Sequence, residues 1–201
     1  MIRNVIFDIG NVLVRWSPHE ILRLTFGDDV DVDTWSQDIF HSDLWEKLNR
    51  GLVTEQEAGQ QFAYMLGISE QQMEILFYYV KRTQCPLYGS VELVQDIKKA
   101  GYGVYALTDN LHDIVTFLKQ QYTFWPLFDG AIVSAEEGCV KPGAQIFTTL
   151  FERYDLDPAC CVFLDDAQKN IVGAQQVGMQ GIVFEHAQQA REQLKALGLT
   201  F

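Results

Sequence analysis

The chain has 201 residues, 48% of them hydrophobic, enough for one core of ordinary size or a core with a small appended domain. Its 15 Lys and Arg against 27 Asp and Glu give a formal net charge of -12; with no basic run to offset that locally, nucleic acid is excluded as a partner. No apolar run is long enough to span a membrane, and Met1 to Asn4 leads straight into an apolar strand without a secretory signal, so a cytoplasmic protein is expected. Cys85, Cys139 and the adjacent Cys160 and Cys161 match neither a C-x-x-C redox pair nor the spacing of a zinc site, and read as reduced thiols.

Val5-Ile6-Phe7 reads as the first strand, ending on Asp8 and a tight turn at Ile9-Gly10-Asn11. From about Trp16 to Gln84 the patterning is helical, and four groups of apolar residues predict four helices. They are Ile21, Leu22 and Phe26; Ile39, Trp45 and Leu48; Phe62, Met65 and Leu66; and Met73, Leu76, Phe77 and Val80. Thr54 with Glu57, and Ser69 with Gln72, are capping-box patterns for the last two. From Ser90 onward strands at Gly103 to Leu107, Ala131 to Val133, Cys161 to Leu164 and Ile182 to Phe184 alternate with helical patterns. The helices are expected at about Asp113 to Gln121, around Ile146 to Tyr154, and from Ile171 to a stop at Gly178. That succession predicts an α/β fold, a parallel sheet with helices on both faces. A helical insert after the first strand would lie near the carboxyl ends of the strands, where open sheets bind ligands.

Four segments carry residues able to do chemistry. Asp8, at a strand end, can attack phosphorus or bind metal; it can equally hydrogen-bond its own turn. Asp165-Asp166 follows another strand, and two neighbouring carboxylates repel unless a cation or proton lies between them, which suits magnesium or calcium. Two strand ends that both deliver carboxylates make a metal the simpler explanation. Thr108-Asp109-Asn110 closes a third strand with a hydroxyl and amides that can hold an anion or cap the next helix. Lys141, before the helix at Ile146, can reach inward to neutralise a carboxylate and a phosphate, or point to solvent. Arg50, just before Gly51, is either a second anion contact or a surface residue.

The four segments occur in the order of the four motifs of the haloacid dehalogenase-like hydrolase superfamily. FDIGNV resembles the first, LTDN the second, VKP the third and FLDDAQKNIVGAQQVGM, the most specific, the fourth. The resemblance implies a Rossmann-like, doubly wound core at residues 1-15 and 85-201, with a small all-helical cap at 16-84. It implies a Mg²⁺-dependent phosphatase acting on a small phosphorylated metabolite. By position Asp8 resembles the nucleophile and the Gly10 carbonyl a backbone metal ligand. Thr108 and Lys141 resemble the phosphate-holding pair, Asp165 and Asp166 the metal-binding acids, and Asn170 an organiser of the loop-to-helix junction.

Two positions depart from the common pattern: Gly10 replaces the second aspartate of the first motif, which acts as general acid and base, and Asp109 stands where asparagine is frequent. The chain also resembles a subgroup of sugar-phosphate phosphatases with a D-x-G first motif, which points to a sugar 1-phosphate. With Gly10 unable to donate a proton, His19 and His41 are the titratable candidates in the insert, and Trp16 and Trp45 its candidate substrate contacts. Two alternatives remain open: a 2-haloacid dehalogenase, and a catalytically weak member that binds a phosphorylated ligand.

Overall fold

A computed structural model describes residues 1–27 and 30–201. Five strands, β1 (Asn4–Phe7), β2 (Gly103–Thr108), β3 (Gly130–Val133), β4 (Cys161–Asp165) and β5 (Gln180–Val183), form one sheet in the order β3-β2-β1-β4-β5. Every pairing is parallel, so each connection must cross a face of the sheet, and helices cover both faces. Side chains alternate accordingly. Val5 and Phe7 share a core cluster with Leu93, Val94 and Ile97 of α6 (Ser90–Lys99) and with Ala190 and Leu194 of α11 (Ala187–Ala196). Ile6, between them, packs with Ile146, Phe147 and Leu150 of α9 (Ala144–Tyr154) and Ile171 and Ala174 of α10 (Gln168–Gln176). Helices α7 (His112–Gln121) and α8 (Ser134–Glu137) follow β2 and β3.

Among the described residues, the segment between β1 and α6 holds five helices rather than the four expected: α1 (Pro18–Phe26), α2 (Val32–Phe40), α3 (Asp43–Asn49), α4 (Glu55–Leu66) and α5 (Glu70–Arg82). The second predicted helix is two. Ile39 ends one and Trp45 belongs to the next, because Ser42 stops the chain by donating its hydroxyl to Ile39 O at 2.8 Å. It then restarts the helix by accepting the Trp45 N–H at 3.1 Å. Both expected capping boxes form, with Glu57 accepting the Thr54 N–H at 2.8 Å and Gln72 the Ser69 N–H at 3.0 Å; such caps contribute about 1 kcal/mol each. Apolar residues of α1 to α5 belong to the same continuous cluster as the sheet face beneath α6 and α11.

Candidate active site

The carboxyl ends of the two central strands bring the first two acids together. Asp8 N–H donates to Leu164 O of β4 at 2.9 Å, and β4 itself ends on Asp165. Between β1 and β4 the strand order reverses direction, the place where open parallel sheets take ligands. Lys141, between α8 and α9, extends into the gap. Its Nζ lies 3.0 Å from Asp8 Oδ1 and 2.7 Å from Asp165 Oδ2, with the lysine side chain only 2% exposed.

Hydrogen bonds set the free oxygens. Asp8 Oδ1 accepts the Ile9 N–H at 2.7 Å as well as facing Lys141, which leaves Oδ2 as the atom available for attack. Asp165 is fully buried and engaged at both oxygens. Oδ1 accepts from Ala167 N–H at 2.8 Å and Asn170 Nδ2 at 3.0 Å, and Oδ2 accepts from Lys141 and from Asn170 Nδ2 at 3.0 Å. Asp166 turns outward, its Oδ2 accepting from Asn11 Nδ2 at 3.0 Å. Asp8, Asp165 and Asp166 each offer an oxygen within 4.8 Å of the other two, a donor set suited to a hard divalent cation.

Burial pushes the Asp8 carboxyl up to about 8, with the Lys141 ammonium opposing and Asp165 reinforcing the shift. For Lys141, burial would lower the ammonium, but Asp8, Asp165 and Asp109 outweigh it and hold the lysine cationic well above its ordinary range. Burial also raises Asp166, against the Asn11 hydrogen bond. Asp109 rises for the same reason, against Lys141. Its Oδ1 accepts the Lys141 backbone N–H at 3.1 Å.

The carboxylates open onto a cavity of about 260 Å³ walled by Asp8, Gly10, Asp109, Asn110 and Asp166 from the sheet edge and by Trp16, Phe40, His41, Trp45 and Asn49 opposite them. A second lobe of about 200 Å³ reaches Lys141 and shares Phe40, His41, Trp45, Asn49, Asp109 and Lys169 with the first. Phe40 packs edge-on against both Trp16 and Trp45, with centroids 5.4 and 4.8 Å apart. A larger cavity of about 690 Å³, between Leu87 to Glu92 and Phe184 to Arg191, contains none of these residues.

Residues 2–178 match the family described as haloacid dehalogenase-like hydrolase. The chain belongs to the haloacid dehalogenase-like hydrolase family. A sesquiterpene phosphatase of Aspergillus oryzae is 28% identical over 177 residues, 88% of this chain and 87% of the relative. A drimenol cyclase of Aspergillus calidoustus is 24% identical, the match covering 96% of this chain and 36% of that protein. A family enzyme of Bacteroides thetaiotaomicron, solved in complex with magnesium and inorganic phosphate, superposes with a TM-score of 0.75 at 20% identity, over 92% of this chain and 96% of that one. At that identity the likeness is one of fold.

Within this hydrolase the expected residues separate into those the fold gathers and those it does not. Asp8, Lys141, Asp165 and Asp166 converge, and Gly10 and Asp109 line the same space. Thr108 is 1% exposed at the end of β2. Asn110 borders the cavity, but its N–H is taken by Ser134 Oγ at 2.9 Å and its Oδ1 accepts the Leu111 N–H at 3.0 Å. Arg50 is not brought to the cavity: it pairs with Glu46 at 2.9 Å and donates to Gly138 O at 3.2 Å, tying α3 to the end of α8. His19 pairs with Asp33 at 3.3 Å, whereas His41 does line the cavity. Phe40 and Asn49 join the walls without a motif to announce them, and Lys169 joins them from inside the fourth motif. Asn11 has a role that the sequence shows only as a turn residue. Held at a φ of 52°, it donates to Asp166 and accepts the Trp16 N–H at 2.9 Å.

Proposed function

We propose that this chain is a Mg²⁺-dependent phosphatase that hydrolyses a small phosphorylated metabolite through an aspartyl phosphate on Asp8. The observation that carries the reading is the convergence of Asp8, Lys141, Asp165 and Asp166 at the sheet's switch point. The names of the Aspergillus phosphatase and of the Bacteroides magnesium–phosphate complex support it. Residues 16–84 act in this reading as a cap over a core of 1–15 and 85–201.

The residues fit a magnesium ion. Asp8, Asp166 and the Gly10 carbonyl would hold it, while Asp165, already engaged by Lys141, Ala167 and Asn170, orients the lysine. Bound magnesium supplies charge stabilisation to the transferring phosphoryl group. Asp8 Oδ2 attacks phosphorus, the leaving oxygen departs toward the cavity, and water then hydrolyses the acyl phosphate. Lys141 neutralises the nucleophile and the phosphoryl oxygens, and Thr108 holds one of those oxygens beside it. A 2-haloacid dehalogenase fits less well, because displacement of a halide from carbon calls for no metal, whereas Asp8, Asp165 and Asp166 gather their oxygens as a divalent cation would need.

Aromatic walls from Trp16, Phe40 and Trp45, interleaved with amides, suit a leaving group with a flat apolar face and polar edges, and a sugar 1-phosphate heads the list. The test is phosphate release from hexose 1-phosphates, hexose 6-phosphates and terpenyl phosphates, with Mg²⁺ and with EDTA. Absence of metal-dependent turnover in folded protein would sink the reading.

A further inference from the structure

The leaving oxygen needs a proton, and the position two residues after the nucleophile offers only the carbonyl of Gly10. Four other titratable side chains line the cavity: Asp109, Asp166, His41 and Lys169. Asp166 is bound to Asn11 and belongs to the metal-binding group. Lys169 and His41 are exposed, on the first turn of α10 and at the C-terminal cap of α2. Asp109 differs from all three in being only partly exposed and in following directly on Thr108 at the end of β2, and like His41 and Lys169 it borders both lobes. Its Oδ1 accepts the Lys141 N–H at 3.1 Å, which fixes the carboxyl plane, and among the described residues no protein donor engages Oδ2.

Resting on the phosphatase reading, we infer that Asp109 is the general acid to the leaving group and the general base to the attacking water. As Asp8 Oδ2 bonds to phosphorus and the P–O bond to the leaving group breaks, that oxygen takes the proton from Asp109, giving a neutral alcohol and an Asp109 carboxylate. In the second half, water attacks phosphorus and gives its proton to Asp109. The bond to Asp8 then breaks, releasing phosphate and restoring both carboxyl groups to their starting state. The surroundings favour a protonated resting Asp109. Burial raises it, Asp165 and Asp8 add negative charge nearby, and Lys141 and Lys169 oppose them without reversing the shift. A bound phosphate dianion adds to the upward push.

The test is the dependence of kcat/KM on leaving-group acidity, measured with a series from 4-nitrophenyl phosphate to alkyl and sugar phosphates, for wild type, Asp109→Asn and His41→Gln. Asparagine keeps an oxygen for the Lys141 N–H and removes only the proton. General acid catalysis contributes about 10²- to 10⁴-fold. Asp109→Asn should therefore lose about 100-fold or more on alkyl and sugar phosphates and less than about threefold on 4-nitrophenyl phosphate, whose leaving group needs no proton. The same variant should lose the basic limb of the wild-type pH profile, and His41→Gln should keep the wild-type leaving-group slope. Equal losses on every substrate, or a slope that steepens in His41→Gln instead, would overturn the assignment. If Asp109→Asn does not fold, the wild-type series alone decides, since a steep slope without a basic limb excludes a donor. Wild-type protein inert toward every monoester would instead remove the phosphatase reading beneath it.

Discussion

Replacing Lys141 with methionine is the sharpest perturbation of this site, because it keeps most of the unbranched side chain and removes the ammonium with its charge and its hydrogen bond to Asp165. At 3.0 and 2.7 Å from two buried carboxylates, each attraction is about 5 to 6 kcal/mol at an effective dielectric of about 20, before the cost of desolvating the ions. Breaking a buried pair of this kind costs about 3 to 5 kcal/mol net, because the partner charge is stranded. In a chain of this size that is a fall in Tm of about 6 to 20 °C. The pH dependence carries the argument further. Lys141 lies above its ordinary value when folded, so its favourable contribution is complete below about pH 10.5 and constant between pH 5 and 8. Asp8 lies at about 8 against an ordinary 3.8, so ionising it opposes folding, and its unfavourable contribution grows as pH rises from about 4 to 8. Without the lysine, Asp8 shifts higher still. Urea unfolding in EDTA should thus find Lys141→Met destabilised more at pH 8 than at pH 5, with Mg²⁺ restoring part of the loss at pH 8. Equal destabilisation at the two pH values, or a loss below about 1 kcal/mol, would refute the picture of a lysine that offsets the cost of ionising Asp8 beside Asp165.

Mg²⁺ binding must displace the Asp8 proton, so affinity should rise about tenfold per pH unit up to about 8 and level off above it, with proton release visible by calorimetry in two buffers of different ionisation enthalpy. A flat affinity from pH 6 to 9 would contradict this. Asn11→Asp replaces the Asp166 donor with a carboxylate and should weaken Mg²⁺ binding by about 10- to 100-fold, as read in a metal titration. Gly51→Ala should cost more than about 1 kcal/mol in urea unfolding, since its φ of 65° disfavours a side chain and a Cβ would collide with the Ala135 carbonyl. Gly67→Ala, at a φ of 67° with nothing within 4 Å, should cost less.

How much of this was legible beforehand follows from which forces are local. Val5, Ile6 and Phe7 are apolar on both faces, as a central parallel strand must be, and each acid directly after such a run is recognisable as a sheet-edge group. Capping boxes are equally local. Helices α6 and α11 are hard to read because neither has an ordinary start signal. Gly89 and His186 precede them, and α11 buries only Ala187, Ala190 and Leu194. The break between α2 and α3 hides in an apolar spacing that one long helix would also satisfy. Within the site, Phe40 and Asn49 acquire their positions only when the insert closes over the strand ends, and Asn11 shows its role only once β1 and β4 bring it beside Asp166. Arg50 misleads for the complementary reason: a cation beside a glycine turn looks available for an anion until the fold gives it Glu46 and the Gly138 carbonyl.

The two departures from the common motif pattern belong together once the cavity is described. A glycine at position 10 removes a carboxyl group from one wall, and Asp109 adds one at another, so the site keeps a carboxyl group available for proton transfer while changing its location. The double variant Gly10→Asp/Asp109→Asn tests whether these are exchangeable solutions. Position 10 has room, since a Cβ there first meets Trp16 Cβ at 3.8 Å and the backbone is not left-handed. The single Asp109→Asn variant should be slow on sugar phosphates, and Gly10→Asp added to it should recover at least about tenfold of that loss. Gly10→Asp alone should gain little, because a donor is already present, and should bring sugar 1- and 6-phosphates closer in rate. Recovery confined to the double variant is the non-additivity expected of two groups serving one proton transfer. Strictly additive effects would mean that Asp109 and position 10 act on different steps, and the idea of a relocated acid would be abandoned.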